Sequence, residues 1–281
     1  MTRRRDIEKH RHSLDEIRNI MNSMKNLSYM ETQKLNSFLD VQHSVVRHIE
    51  MVAADFLSFY PDTLTKAAFT SVDVYLLIGT ERGFCGDFNH ALLRHFENMP
   101  IAQDKDKLHI ISVGHKLKTL LVNDEREIVF IDGASVAEEV GEALNQIVTQ
   151  LAAIQERDGL LSLYVLYHDD NHQLIKQQLL PPFQNLLERK PEETHTPELN
   201  YKPEEFFIDL SYHYLFVALY EILYTSLMSE SRQRMAHLEG AVQSMEEQSE
   251  ELKRQGNVLR QEEIIEEIEV ILLSATSLEQ Q

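Results

Sequence analysis

The chain has 281 residues, of which 43% are hydrophobic, and a formal net charge of −19. This is enough apolar material for one substantial core with an appendage, and the acidic balance disfavours nucleic-acid binding, because recognition of a phosphate backbone requires a basic face. Cys85 is the only cysteine, which excludes an internal disulfide and a cysteine-based metal site.

A long helix is predicted at each end of the chain, over residues 1–60 and 204–281. All seven prolines lie between Pro61 and Pro203, and proline costs about 3 kcal/mol in a helix interior. In the first segment, positions that recur in alternating steps of three and four predict a coiled-coil seam. These positions are Leu14, Ile17, Met21, Met24, Ser28, Glu31, Leu35, Phe38, Gln42, Val45, Ile49, Val52 and Phe56. The C-terminal segment has a similar stripe, so the two are expected to pair as an antiparallel coiled coil.

The middle of the chain, residues 61–203, changes its period. Near-continuous apolar runs at residues 72–79, 108–113, 128–131 and 160–167 predict buried strands. Helical patterns at residues 87–98, 115–123 and 135–157 alternate with them. This order predicts a mostly parallel sheet in a Rossmann-like α/β domain inserted between the terminal helices. A further extended piece spans 174–180, and a linker is predicted over 188–203, with Pro203 in the first turn of the last helix.

An α/β domain raises the possibility of an enzyme with a site at its strand ends. The stretch Gly79–Gly86 has glycine spacing after a strand but lacks both G-x-G-x-x-G and the Lys-Ser/Thr of a P-loop, so we favour a turn over a phosphate cradle. Cys85 is expected to be a small buried thiol rather than a nucleophile. His168, Asp169, Asp170 and His172 are more typical of a polar loop than of a metal site. None of these features is a catalytic motif, and no cofactor or metal is expected.

Four motifs, in order along nearly the whole chain, carry a family resemblance. They are Ile20–Lys25 (IMNSMK), Arg82–Asn89 (RGFCGDFN), Ser229–Ala241 with Ser229, Glu230, Arg234, Met235 and Ala236, and Asn257–Glu267 with Arg260-Gln261. In the second motif the matching positions are Arg82, Gly83, Cys85, Gly86 and Asn89. With these motifs the chain resembles the γ subunit of F-type ATP synthases.

The resemblance implies a non-catalytic central-stalk rotor that couples ion flow through the membrane ring to ATP synthesis or hydrolysis. The implied partners are the α and β subunits of the catalytic hexamer, an ε-type subunit and the c-ring. The implied location is peripheral, on the cytoplasmic face of the cell membrane. Contact with the β subunits would involve Met24, Lys25, Arg260, Gln261, Ile264 and Glu267. No run approaches the roughly 18 apolar residues of a membrane span, so direct insertion is not expected.

This sequence departs from the family pattern in charge. Glu262-Glu263 stand where the family has small or hydroxyl residues, and Ile265-Glu266-Glu267 stand where it has Thr-Gln-Glu. Residues 26–33 also lack the usual basic residues. We therefore predict a divergent member, serving an alternative or sodium-type ATPase whose β subunits have changed charge accordingly. The competing hypotheses are a coiled-coil adaptor with unrelated partners and an enzyme that uses the loop from Gly79 to Gly86.

Overall fold

A computed structural model describes residues 2–65, 72–103, 108–186 and 198–278. Helices α1 (Thr2–Phe59) and α6 (Pro203–Leu278) are continuous over 58 and 76 residues. By compactness the chain divides into two units, Met1–Ser28 with Met235–Gln281, and Tyr29–Arg234. We call these the paired-helix unit and the α/β unit. The division into segments 1–60, 61–203 and 204–281 stays a prediction, and residues 188–197 of the expected linker lie outside the described part.

The α/β unit contains a five-stranded sheet in the order β3-β2-β1-β4-β5. The strands are β1 (Val72–Ile78), β2 (Leu108–Val113), β3 (Ile128–Ile131), β4 (Leu161–His168) and β5 (Leu174–Leu180). All neighbours are parallel except β5, which pairs antiparallel to β4. The shorter helices are α2 (Asp62–Thr65), α3 (Phe88–Glu97), α4 (His115–Leu121) and α5 (Val140–Asp158), the last preceded by a 3₁₀ turn at Ala137–Glu139. The predicted, mostly parallel α/β architecture is confirmed.

The two faces of the sheet bury different sets of helices. Successive residues of a strand point to opposite faces, so Leu76 joins the core formed with α1, α5 and α6, while Leu77 joins the core formed with α3 and α4. Both leucines are fully buried. The long helices are therefore part of the α/β core in this unit.

The buried side of α1 differs from the predicted seam at alternate positions. Phe38, Val45 and Val52 are 38–49% exposed, whereas buried side chains of α1 lie one residue further on, at Thr32, Leu39, Val46 and Ala53. The predicted positions Leu35 and Phe56 are buried. The reason is that α1 packs in a core built from the sheet, α5 and α6 together, so its buried face is not that of a helix with one partner.

One helix in the described chain, α6, is long and apolar enough to cross a membrane by length and composition, with an 18-residue window of mean hydropathy 1.3. The length of the uninterrupted apolar runs in the sequence does not predict such a helix. A third of the window is buried, and helices at the core of a protein meet the same criterion. Apolar residues of α6, from Ala218 to Met228, belong to the core cluster of the α/β unit.

Candidate functional site

Two of the predicted motifs, about 150 residues apart in sequence, meet at the turn that follows β1. Glu230 and Arg234 of α6 are buried there, with 3% and 4% of their surfaces exposed. The backbone N–H groups of Glu81 and Arg82 each donate to the Glu230 carboxylate, at 3.2 Å. Arg234 binds the same carboxylate and also donates from Nε to the Gly83 carbonyl, at 3.1 Å. We call this set of contacts the α6 tie.

Local sequence explains why the turn has this shape. Gly86 adopts a φ of 58°, a left-handed conformation that glycine accepts without strain. Cys85 is buried, and its thiol lies 3.4 Å from the Gly83 carbonyl. Asn89 closes the turn from α3, because its Oδ1 accepts from the Thr80 N–H at 3.0 Å and its Nδ2 donates to the Thr80 hydroxyl at 2.8 Å.

Burial dominates the electrostatics of the α6 tie. It raises the pKa of Glu230 to about 7, against the opposing effects of Arg234 and of the two backbone donors. Burial, followed by the nearby Glu230 carboxylate, raises the pKa of the Cys85 thiol to about 12. A protonated thiol is a poor nucleophile, so this environment suits a structural cysteine.

The same contacts argue against a phosphate-binding loop at Gly79–Gly86. A phosphate loop binds its anion through free backbone N–H groups, but here the N–H groups of Glu81 and Arg82 are already bound to Glu230. Glu81 also extends its own carboxylate across the strand ends, where Oε2 accepts from the N–H groups of His115 and Gly133, both at 2.8 Å. At this edge of the sheet, these backbone N–H groups are therefore occupied by carboxylates of the protein itself.

The β4–β5 turn also contacts α6. Ser229 is fully buried, and its hydroxyl is hydrogen-bonded to Nδ1 of His172 at 2.7 Å. His168 is 3% exposed, and its ring lies 3.8 Å from that of Phe88; burial lowers its pKa to about 4. Among the described residues, no group of three or more His, Cys, Asp or Glu side chains is placed to hold a metal ion. Two members of the predicted polar loop thus pack against neighbouring helices.

The residues that the resemblance assigns to β-subunit contact lie in the paired-helix unit, at two levels. Lys25 pairs with Glu239 at 2.6 Å, and Met24 beside it is half-buried. Arg260 and Gln261 are exposed on α6. Because Arg260 is 21 residues beyond Glu239, the two levels are about 30 Å apart along the helix.

Near the second level, Ile264 is 46% exposed and Glu267 is exposed. Two other members of the helix motif, Met235 and Ala236, are half-buried and exposed, respectively. The structure therefore joins the turn motif to Glu230 and Arg234, whereas Ser229 contacts His172 in the β4–β5 turn. It does not bring Met24 and Lys25 to the level of Arg260 and Gln261.

Glu81 and Glu31 have structural roles that the sequence does not predict. Glu81 caps the strand ends, and Oε1 of Glu31 on α1 accepts from the Ala137 N–H at 2.7 Å. Both contacts join residues far apart in sequence, so no local pattern indicates them.

A family model described as ATP synthase matches residues 3–278. The chain belongs to this family. It is similar to an "ATP synthase gamma chain" of Clostridium botulinum (strain Hall), with 23% identity over 266 residues covering 92% of this chain and 93% of that one. It is also similar to an "ATP synthase gamma chain" of Desulfitobacterium hafniense, with 24% identity over 291 residues covering 99% and 100%. The resemblance to the γ subunit is confirmed.

Solved structures share the fold. The rotor of the Euglena gracilis mitochondrial ATP synthase matches with a TM-score of 0.59 and 17% identity, covering 94% of this chain and 99% of that one. The central stalk and c-ring structure from Tetrahymena thermophila contains a chain that matches with a TM-score of 0.55 and 18% identity, covering 79% and 99%. This chain and these structures therefore share long terminal helices around a central α/β part.

Proposed function

We propose that this chain is the central-stalk rotor subunit of an F-type ATP synthase or ATPase, coupling ion flow to ATP synthesis or hydrolysis on an α/β hexamer. The observation that carries the proposal is the family match over residues 3–278. The antiparallel pairing of α1 with α6 supports it, since Arg4 meets Glu263 and Lys25 meets Glu239 within the paired-helix unit. The proposed partners are the α and β subunits, an ε-type subunit and the c-ring.

A non-catalytic role fits the site described above. The loop that would hold a substrate phosphate binds Glu230, and Glu81 occupies the strand ends. Catalysis would then belong to the partner hexamer, and this chain would act mechanically, as a peripheral subunit on the cytoplasmic side of the cell membrane. The adaptor hypothesis gains no support, because the γ-chain relatives align over more than nine-tenths of this chain.

The proposed β contacts are Met24, Lys25, Arg260, Gln261, Ile264 and Glu267. Arginine offers five donors in a rigid fork, and glutamine offers both a donor and an acceptor. Exposed side chains of this kind, as at Arg260 and Gln261, are suited to directional contacts that break and re-form as a shaft turns. Replacing each with alanine should change the ATP turnover of the assembled complex while leaving the melting temperature of the free chain unchanged.

The acidic surface near Arg260 and Gln261 supports the proposal that the partner β subunits present a basic surface to this chain. Glu262 is exposed, whereas Glu263 is bound by Arg4 at 3.1 Å. Glu262→Lys is therefore the cleaner test, because it leaves the pairing of the two helices intact. We expect it to weaken assembly with the cognate hexamer more than Glu16→Lys, a control on the exposed face of α1. Equal or tighter assembly would contradict a basic partner surface.

The role itself is tested by co-expression with the α and β subunits of the same genome and mass measurement of the purified complex. We expect three α, three β and one copy of this chain. Recovery of this chain alone, or as a homodimer, would contradict the rotor role and favour the hypothesis of a coiled-coil adaptor.

A further inference from the structure

The 3₁₀ turn that leads into α5 begins without a capping side chain of its own. The residue at its N-cap position is Val136, whose apolar side chain cannot accept a hydrogen bond. Ala137 follows and is 3% exposed, so its N–H requires an acceptor within the protein. Glu31 of α1 supplies it, with Oε1 2.7 Å from the Ala137 nitrogen. A side chain 106 positions away in sequence thus acts as the cap.

A second contact lies one turn further along α1. Lys34 binds the carboxylate of Glu138, and this hydrogen bond raises the pKa of Lys34 and lowers that of Glu138. Residues three apart share one face of a helix, so Glu31 and Lys34 both point to the start of α5. We call these two contacts the α1 tie.

The α1 tie and the α6 tie lie at the same level of the α/β unit. Phe38 stacks on Tyr224, and His43 pairs with Glu221 at 3.4 Å, which sets the antiparallel register of α1 and α6. Continued along the helices, this register places Glu31 and Lys34 beside the turn of α6 that contains Glu230. Within the α/β unit, each long helix thus has its own polar contacts, α1 to the start of α5 and α6 to the turn after β1, close to Tyr29 and Arg234, where that unit ends.

We propose that Glu31 and Lys34 are positioning residues that lock α1 to the start of α5, so that twist in the helix pair is transmitted through both helices. The inference rests on the proposed rotor function. Apolar packing is non-directional, so the contacts of Glu31 and Lys34 add a directional restraint between α1 and the start of α5. With both ties, rotation of α1 against the start of α5, or of α6 against the turn after β1, breaks hydrogen bonds.

The contact itself is tested in the full chain by hydrogen exchange at the Ala137 amide. Glu31→Ala removes the acceptor and should speed exchange about ten- to a hundredfold, as expected for a buried donor left without a partner. Glu31→Gln keeps an acceptor oxygen and should restore slow exchange. The control is Glu16→Ala, on the exposed face of the same helix. Unchanged exchange in Glu31→Ala would overturn the capping role.

The mechanical role is tested in the assembled complex, with the hexamer immobilised and a probe on the α/β unit at the exposed position Glu97→Cys. We expect Glu31→Ala/Lys34→Met to widen the angular distribution of the probe during pauses, and the control Lys9→Met/Glu16→Ala to leave it unchanged. A merely structural contact would not alter this width.

An equal width in both variants would overturn the lock while leaving the rotor function intact. If the unmodified chain failed to assemble with the hexamer, the rotor function would fail first, and the lock proposed for it would fail with it. The exchange rate of Ala137 would still report whether Glu31 caps the turn.

Discussion

Removal of Arg234 tests whether the α6 tie stabilises the fold. The side chain is 4% exposed, binds the buried Glu230 carboxylate and donates to the Gly83 carbonyl. Arg234→Met keeps much of the apolar stem but leaves Glu230 as a buried carboxylate without its counter-ion. Breaking a buried pair in this way costs about 3–5 kcal/mol. For a chain of this size each kcal/mol lowers the melting temperature by about 2–4 °C, so a decrease of about 6–20 °C is expected.

The loss should depend on pH with a definite sign. The pKa of Glu230 is already raised to about 7 in the folded chain, and removing Arg234 raises it further. A carboxyl group with a raised folded pKa stabilises the protein fully below its unfolded pKa, about 4.3 for glutamate, and this contribution is lost as pH rises through the folded value. The deficit of Arg234→Met should therefore be larger at pH 8 than at pH 5.5.

Thermal unfolding of the full chain, followed by circular dichroism at both pH values, measures this effect. Arg254→Met is the matched control, because Arg254 is exposed and pairs with Glu251 on its own helix. Glu230→Gln combined with Arg234→Met removes the stranded charge and should recover part of the loss. A melting temperature within 2 °C of the control, or a deficit that does not grow with pH, would refute the reasoning; that margin corresponds to roughly 1 kcal/mol or less.

Two further predictions concern the same turn. Gly79→Ala would place its Cβ 2.5 Å from Cβ of Leu117 and should destabilise the chain by about 1–3 kcal/mol in urea unfolding, whereas Gly240→Ala, which meets nothing within 4 Å, should stabilise it by about 0.4–1 kcal/mol; equal effects would show that Gly79 is not closely packed. Cys85, with its thiol pKa raised to about 12 by burial, should react with a thiol reagent at pH 8 only as fast as the chain unfolds, and rapid reaction of the folded chain would contradict its burial.

Local patterns were sufficient to predict the elements of the fold. The apolar run at residues 72–79 became β1 (Val72–Ile78), and the pattern at residues 87–98 became α3 (Phe88–Glu97). Pro203 begins α6, as expected for the first turn of a helix. These predictions depend on periodicity and on backbone restrictions, both of which act over a few residues.

Contacts between distant residues explain what the sequence did not indicate. The buried side of α1 depends on the sheet, α5 and α6 together. A heptad pattern assumes a single partner helix, so it predicts Val45 and Val52 as buried, although both are exposed. The motif resemblance identified Glu230 and Arg234 but not the backbone groups that they bind. The sequence pattern places Glu31 at a polar seam position and in a segment that lacks basic residues, whereas in the structure it caps the turn before α5. Each role depends on a partner more than 70 residues away.

The central claim is that this chain turns inside a catalytic hexamer. The most direct measurement is the motion of a probe on the exposed position Glu97→Cys while the immobilised complex with α and β subunits hydrolyses ATP. We predict rotation in one direction, whose rate changes with Arg260→Ala and Gln261→Ala. Hydrolysis by a complex that contains this chain, with no rotation of the probe, would contradict the account.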